Sequence, residues 1–217
     1  LLTYFLDGSR RVFKVDDIAY AHSGGRSVIY PVIAGQIGVG CCRREHRQMV
    51  PEKFKREFVL SIPYIANADG KAGFFSATAK KLNNCSELRR LGIEFSTILP
   101  YRTAKNSDKK FEDRGTACVQ ERMAEKEKEL VAELVREGKL NQNNYLVKDG
   151  SLEYRPTKGD WLDKRKYQIF KNNYNWVIGV SKNFNPEGCV DINGKPNPGF
   201  IADLRVYHRK PVASFKN

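Results

Sequence analysis

Apolar and polar residues alternate from the first positions of the chain. In "LLTYFLD", "RRVFKVDDIAYAH" and "RSVIYPVIAGQIGVGCC", over 1–7, 10–22 and 26–42, the period-two pattern and the β-branched and aromatic content predict strands. Gly and Ser turns separate them, so they are expected to pair as an antiparallel meander that opens a sheet. The pattern then breaks. "REHRQMVPEKFKREF" is basic and polar, and from about Leu60 to Asp113 short apolar pieces mix with Gly, Asn and Lys. Residues 43–113 therefore read as an insertion or lid region, with "SELRRLGIEF" a candidate helix.

From Arg114 to Lys139 the period changes to that of a helix: no Pro, strong helix formers, and Gly138 placed to stop it. A strand "NYLVKD" follows, then a polar segment with Trp161 and "KRKYQIFKNN", a strand "NWVIGVSK", a Gly- and Pro-rich loop and a last strand "FIADLRVYH". The succession is an α/β plan, which leaves polar residues at strand ends where a site can be assembled.

On a wheel of ~100° per residue with Val119 at zero, Met123, Leu130, Val131, Leu134 and Val135 fall with Val119 on one face. Glu121, Glu125, Glu129 and Glu133 lie on the other, but Glu127, at ~80°, sits in the middle of the apolar face. A carboxylate aimed at a core costs stability unless a cation, a metal or strong donors compensate it. An Arg or Lys from a neighbouring element is one such partner and a metal is another, while a helix face only half covered would leave Glu127 in water.

Composition sharpens the second option. The 217 residues carry 38 Lys and Arg against 25 Asp and Glu, a net charge of +13, which favours a polyanionic partner, nucleic acid first and an anionic membrane surface second. No apolar run approaches the roughly 18 residues of a membrane span and no signal sequence opens the chain, so an intracellular, cytoplasmic protein is expected. Five cysteines without CxxC spacing indicate neither a disulfide framework nor a zinc site. Cys41, Cys42, Glu45 and His46 lack a second ligand pair and read as a strand end running into a basic surface, with Arg43, Arg44 and Arg47 as candidate phosphate contacts. Lys164, Arg165 and Lys166, beside Trp161 and Tyr167, are a second such cluster.

Asp-Gly-Ser occurs twice, at Asp7 and at Asp149, each time after a short apolar run. Two turns explain the repeat on their own. With Glu127, the two Asp side chains would instead form an acidic cluster of the kind that Mg²⁺ or Mn²⁺ takes in phosphodiester hydrolysis.

The ordered set "FLDGSRR", a Glu-bearing helix, "YLVKDGSL" and "VIGVSK" resembles the motifs of the NurA family of prokaryotic nucleases, over about residues 3–182 but without 43–113. The resemblance implies an RNase H-like α/β fold: a mixed sheet flanked by helices with an insertion region. It implies one nuclease domain over 1–217, a fragment or trimmed at its ends, since the chain opens on Leu1 and closes on "VASFKN". It also implies a Mn²⁺- or Mg²⁺-dependent deoxyribonuclease acting 5′ to 3′ and cutting single strands internally, a homodimer that works with a HerA-type hexameric ATPase. By the same resemblance Asp7 and Asp149 are metal ligands, and the family's helix Glu is matched to Glu127 by the wheel, with Glu125 next in line. Lys182 and His208 are matched to further catalytic positions, while Gly8, Ser9, Gly150 and Ser151 support the two turns. Another RNase H-like nuclease or recombinase, and a non-catalytic nucleic-acid-binding subunit, are the competing expectations.

Overall fold

The computed structural model describes residues 1–21, 25–103, 110–150, 152, 164–180 and 195. The chain divides at Val180, and the fold described here is that of the unit Leu1–Val180. Three long strands open it: β1 (Leu2–Ala21), β2 (Ser27–Glu45) and β3 (Gln48–Pro63). They pair antiparallel, β1 with β2 as the alternation predicts and β2 with β3, which lies beyond the predicted strands; the strands expected at 1–7 and 10–22 are one continuous β1. After a 3₁₀ turn (Tyr64–Asn67) come α1 (Phe74–Asn83), α2 (Ser86–Arg90) and β4 (Phe95–Tyr101). The long α3 (Phe111–Arg136), β5 (Tyr145–Asp149), α4 (Lys164–Asn173) and β6 (Val177–Val180) complete the unit. The result is an α/β fold built on a six-stranded mixed sheet of order β4-β3-β2-β1-β5-β6. β4 lies parallel to β3, β5 parallel to β1, and β6 parallel to β5.

Three sequence expectations are corrected. Residues 43–113 contribute the end of β2 and all of β3 and β4, so much of the expected insertion or lid is sheet. The stretch looks irregular because the outer half of β3, "QMVPEKFKRE", carries charges that pair with α3 rather than apolar residues. The first Asp-Gly-Ser is not a turn either: β1 runs through it, with Asp7 opposite Gly40, Gly8 opposite Val39 and Ser9 opposite Gly38. "KRKYQIFKNN", read as a polar segment, forms α4. The strand expected in "FIADLRVYH" lies outside the described residues.

Neighbouring residues of a strand face opposite sides of a sheet, and here both sides are used. Leu6, Ile33, Ile37, Val39, Val59 and Leu146 pack against Val119, Met123, Leu130, Val131 and Leu134 of α3. Val32, Leu60, Ile62 and Ile98 pack against Ala79 of α1 on the other face. Helix α3 can lie close to β2 because Gly35 stands beneath it: a Cβ there would come within 2.6 Å of Val119 Cγ1. The helix ends as predicted. Gly138, at φ 68°, and Lys139 return their amides to Val135 and Leu134 in a Schellman motif. Among the described residues no helix is long and apolar enough to cross a membrane.

Candidate acid site at the β1–β5 junction

β1 has β2 on one side and β5 on the other, so the chain's direction of travel across the sheet reverses at β1. In open α/β sheets such a switch, beyond the carboxyl ends of parallel strands, is where ligands bind. The β1–β5 register pairs Phe5 with Val147 and Leu6 with Lys148, which brings Asp7 and Asp149 to neighbouring positions one residue further on. β5 stops there. Gly150, at φ 95°, takes a backbone conformation that favours glycine, and its amide bonds the Val180 carbonyl at 2.8 Å.

Asp7 and Asp149 line one pocket of about 570 Å³, whose largely apolar remainder includes Phe5, Leu6, Cys42, Met49, Val147 and Val180. Asp7 is exposed and Asp149 half-buried. By strand alternation both belong to the face opposite α3. Leu6, Gly8, Leu146 and Lys148 belong to the α3 face, where Glu127 comes down from the helix.

Glu127 is buried, at 5% exposure, as the wheel predicts. Its carboxylate lies against the strand at Gly8, where any side chain would overlap Glu127 Oε1. This is a steric reason for Gly8, not the turn conformation expected of it. The cation that compensates Glu127 is Lys148, whose Nζ sits 3.1 Å from Glu127 Oε2 and also donates to the Asp149 carbonyl at 3.1 Å. Burial pushes the Glu127 carboxyl up, the Lys148 ammonium pulls it back, and the negative charges of Asp7 and Asp149 push it up further. Glu127 is thus within electrostatic reach of both Asp7 and Asp149. Among the described residues, however, no three His, Cys, Asp or Glu side chains converge closely enough to hold a metal ion.

Glu125, the second choice for the helix ligand, is on the outer flank of α3, bonded to Arg122 Nη1 at 2.9 Å. Ser9 continues β1 and is brought beside Gly38, not into a turn. Lys182, His208 and Ser151 lie outside the described residues, as do the side chains of the 164–167 cluster and Trp161. Cys41 is buried and its thiol is pushed up to about 12 by that burial, the behaviour of a core residue. Cys42 lines the pocket. His46, at φ 55°, and Arg47 form the tight turn of the β2–β3 hairpin, with Arg44, His46 and Arg47 all exposed.

Sequence reasoning missed Lys148. The signal was present in "YLVKDG": Lys148 is two residues from Leu146 and therefore shares its inward face. No family model matches the chain, and no curated protein is significantly similar to it.

Proposed function

We propose that the protein is a divalent-metal-dependent DNA nuclease in which Asp7 and Asp149 are the first metal ligands. The observation that carries the reading is their juxtaposition at the β1–β5 switch, in one pocket, on a protein of net charge +13. An antiparallel β1-β2-β3 meander followed, after the long α3, by a strand parallel to β1 supports the finer description of the fold as RNase H-like.

The donors available to a hard cation here are two carboxylates on adjacent strands, Asp7 exposed and Asp149 half-buried, while Glu127 lies on the opposite face, paired with Lys148. Bound there, Mg²⁺ or Mn²⁺ would supply an activated water and neutralise the leaving oxygen. The chain's own residues do the rest. Phe5, Met49, Val147 and Val180 give the pocket apolar walls that limit bulk water around the acids. Arg44 and Arg47 present guanidinium groups at a hairpin whose Met49 lines the same pocket, so they can grip phosphates flanking the site. The resemblance to NurA nucleases adds 5′ to 3′ digestion, single-strand cutting, dimerisation and a HerA-type ATPase partner to the proposal, as well as roles for Lys182 and His208.

The test is cleavage of end-labelled single- and double-stranded DNA with Mn²⁺, Mg²⁺ or EDTA, wild type beside Asp7→Asn and Asp149→Asn. Metal-dependent cutting that both substitutions abolish is the expected result. The buried Glu127–Lys148 pair favours a second reading, a nucleic-acid-binding subunit whose acids are structural. Tight DNA binding that ignores EDTA, without cleavage, would establish that reading instead.

A further inference from the structure

On the sheet face opposite α3, β2 presents no side chain at Gly38 or Gly40. The register sets these glycines between β1 and β3, so that Asp7, Gly40 and Phe54 stand in one row across three strands and Ser9, Gly38 and Arg56 in the next. Phe54 leans over this bare strip, with its Cε2 and Cζ 3.6 Å from the position a Gly38 Cβ would take. The ring is nevertheless 70% exposed. Lys53 and Lys55, on either side of it in the chain, turn to the α3 face and pair with Glu137 and Glu133. Arg56 turns the other way, its guanidinium carbon 5.2 Å from the centre of the Phe58 ring. Arg11, across Gln36 from Phe58, and Phe13, itself 57% exposed, continue the face along β1. Among the described residues no carboxylate pairs with Arg11 or Arg56.

Aromatic rings and guanidinium groups thus alternate on an open strip of sheet. An unpaired base stacks on such a ring while its phosphates meet the cations, and a duplex, whose bases are already stacked on one another, has no free base plane to offer it. The acids strengthen the choice. Two strand spacings put Phe54 about 10 Å from Asp7 across the sheet. A phosphate is repelled there, whereas a neutral base is not, and the phosphates on either side of it have Arg56 and Arg11 to go to. We infer that Phe54 is a stacking platform for one base of a single strand, which Arg56 and Arg11 hold by its phosphates across β1, β2 and β3. The choice of nucleic acid as occupant rests on the reading above, but the platform itself needs neither metal nor cleavage.

The experiment is fluorescence anisotropy in EDTA with labelled oligothymidylate and with a duplex of equal length, on wild type, Phe54→Ala, Phe54→Trp and Arg56→Gln. Phe54→Ala should weaken single-strand binding about tenfold, the loss of one stacked base, and leave duplex binding unchanged. Phe54→Trp should bind the single strand at least as tightly as wild type. Arg56→Gln should lower the slope of log K against log salt by roughly 1. A folded Phe54→Ala that binds the single strand like wild type overturns the platform, and so does an equal loss on the duplex. A fall in sedimentation mass on Phe54→Ala would assign the ring to a contact between copies of the chain and overturn it as well. The expected binding pattern in a wild type that cuts no DNA with Mn²⁺ or Mg²⁺ would support the platform and overturn the nuclease reading alone.

Discussion

Glu127 and Gly8 occupy one another's space: the carboxylate of the helix residue rests where a side chain on the strand residue would begin. Met123 closes the same spot, with its Cγ 3.3 Å from the position a Gly8 Cβ would take. Gly8→Ala should therefore lower stability by about 1–3 kcal/mol, the usual result of overpacking a filled interior. Gly40→Ala is the control, because its new methyl would meet only the Phe54 ring, at 3.8 Å. Urea midpoints for the two variants check this; equal midpoints would mean that Glu127 has room to withdraw.

Lys148→Ala leaves a buried carboxylate without its cation, and should cost about 3–5 kcal/mol. Glu127→Gln combined with Lys148→Met removes both charges, and should recover most of that loss. A double-mutant cycle from denaturant unfolding measures the coupling. A coupling near zero would show that the pair does not act as a unit.

Two carboxylates give opposite pH dependences. Burial would raise Glu57, but the hydrogen bonds from Arg122 and Ser96 prevail and hold it below 4.5. Its contribution is present above its unfolded value and is lost as pH falls through the folded one. Glu127 is raised, chiefly by burial, so its contribution is present below 4.5 and lost as pH rises through its folded value. Unfolding measured from about pH 3 to about pH 7 should show Glu57→Gln losing part of the acid-side decline, and Glu127→Gln losing the decline above the ordinary carboxylate range.

The hairpin turn offers an independent check on the DNA-binding half of the proposal. Arg44→Gln and Arg47→Gln should each weaken binding about equally for all sequences, and lower the slope of log K against log salt by roughly 1. Fluorescence anisotropy at several salt concentrations reads both quantities. An unchanged slope in the double variant would remove this turn from the interface.

Elements with one strong period were legible in the sequence. The alternation of 1–42 gave the antiparallel β1–β2 pair, though it split β1 in two, and the helical period of 114–139 gave α3, its stop at Gly138 and the buried place of Glu127. β3 and β4 were not legible, because β3 covers its outer half with Lys53 and Lys55, which pair with Glu137, just past α3, and with Glu133 on it. Their alternation is one of charges, and a hydrophobic period does not register it. At the site, the pairing of Asp7 with Asp149 depends on a parallel register between distant strands, which local pattern does not encode. The turn preference of Asp-Gly-Ser was overridden at Asp7 by the packing of α3 on Gly8, and retained at Gly150, where the chain leaves β5.

Because β5 docks beside the first strand and not beside the one made just before it, the acid pair is assembled on adjacent strands that are far apart in sequence. Such distant pairings pay their loop-closure entropy before any contact repays it, and form late in folding. During synthesis the β1-β2-β3 meander can close as soon as it emerges, but a nascent chain that stops short of Asp149 has only half of the pair. Completion of β5 is therefore a built-in delay that keeps the two acids apart until the sheet that supports them exists.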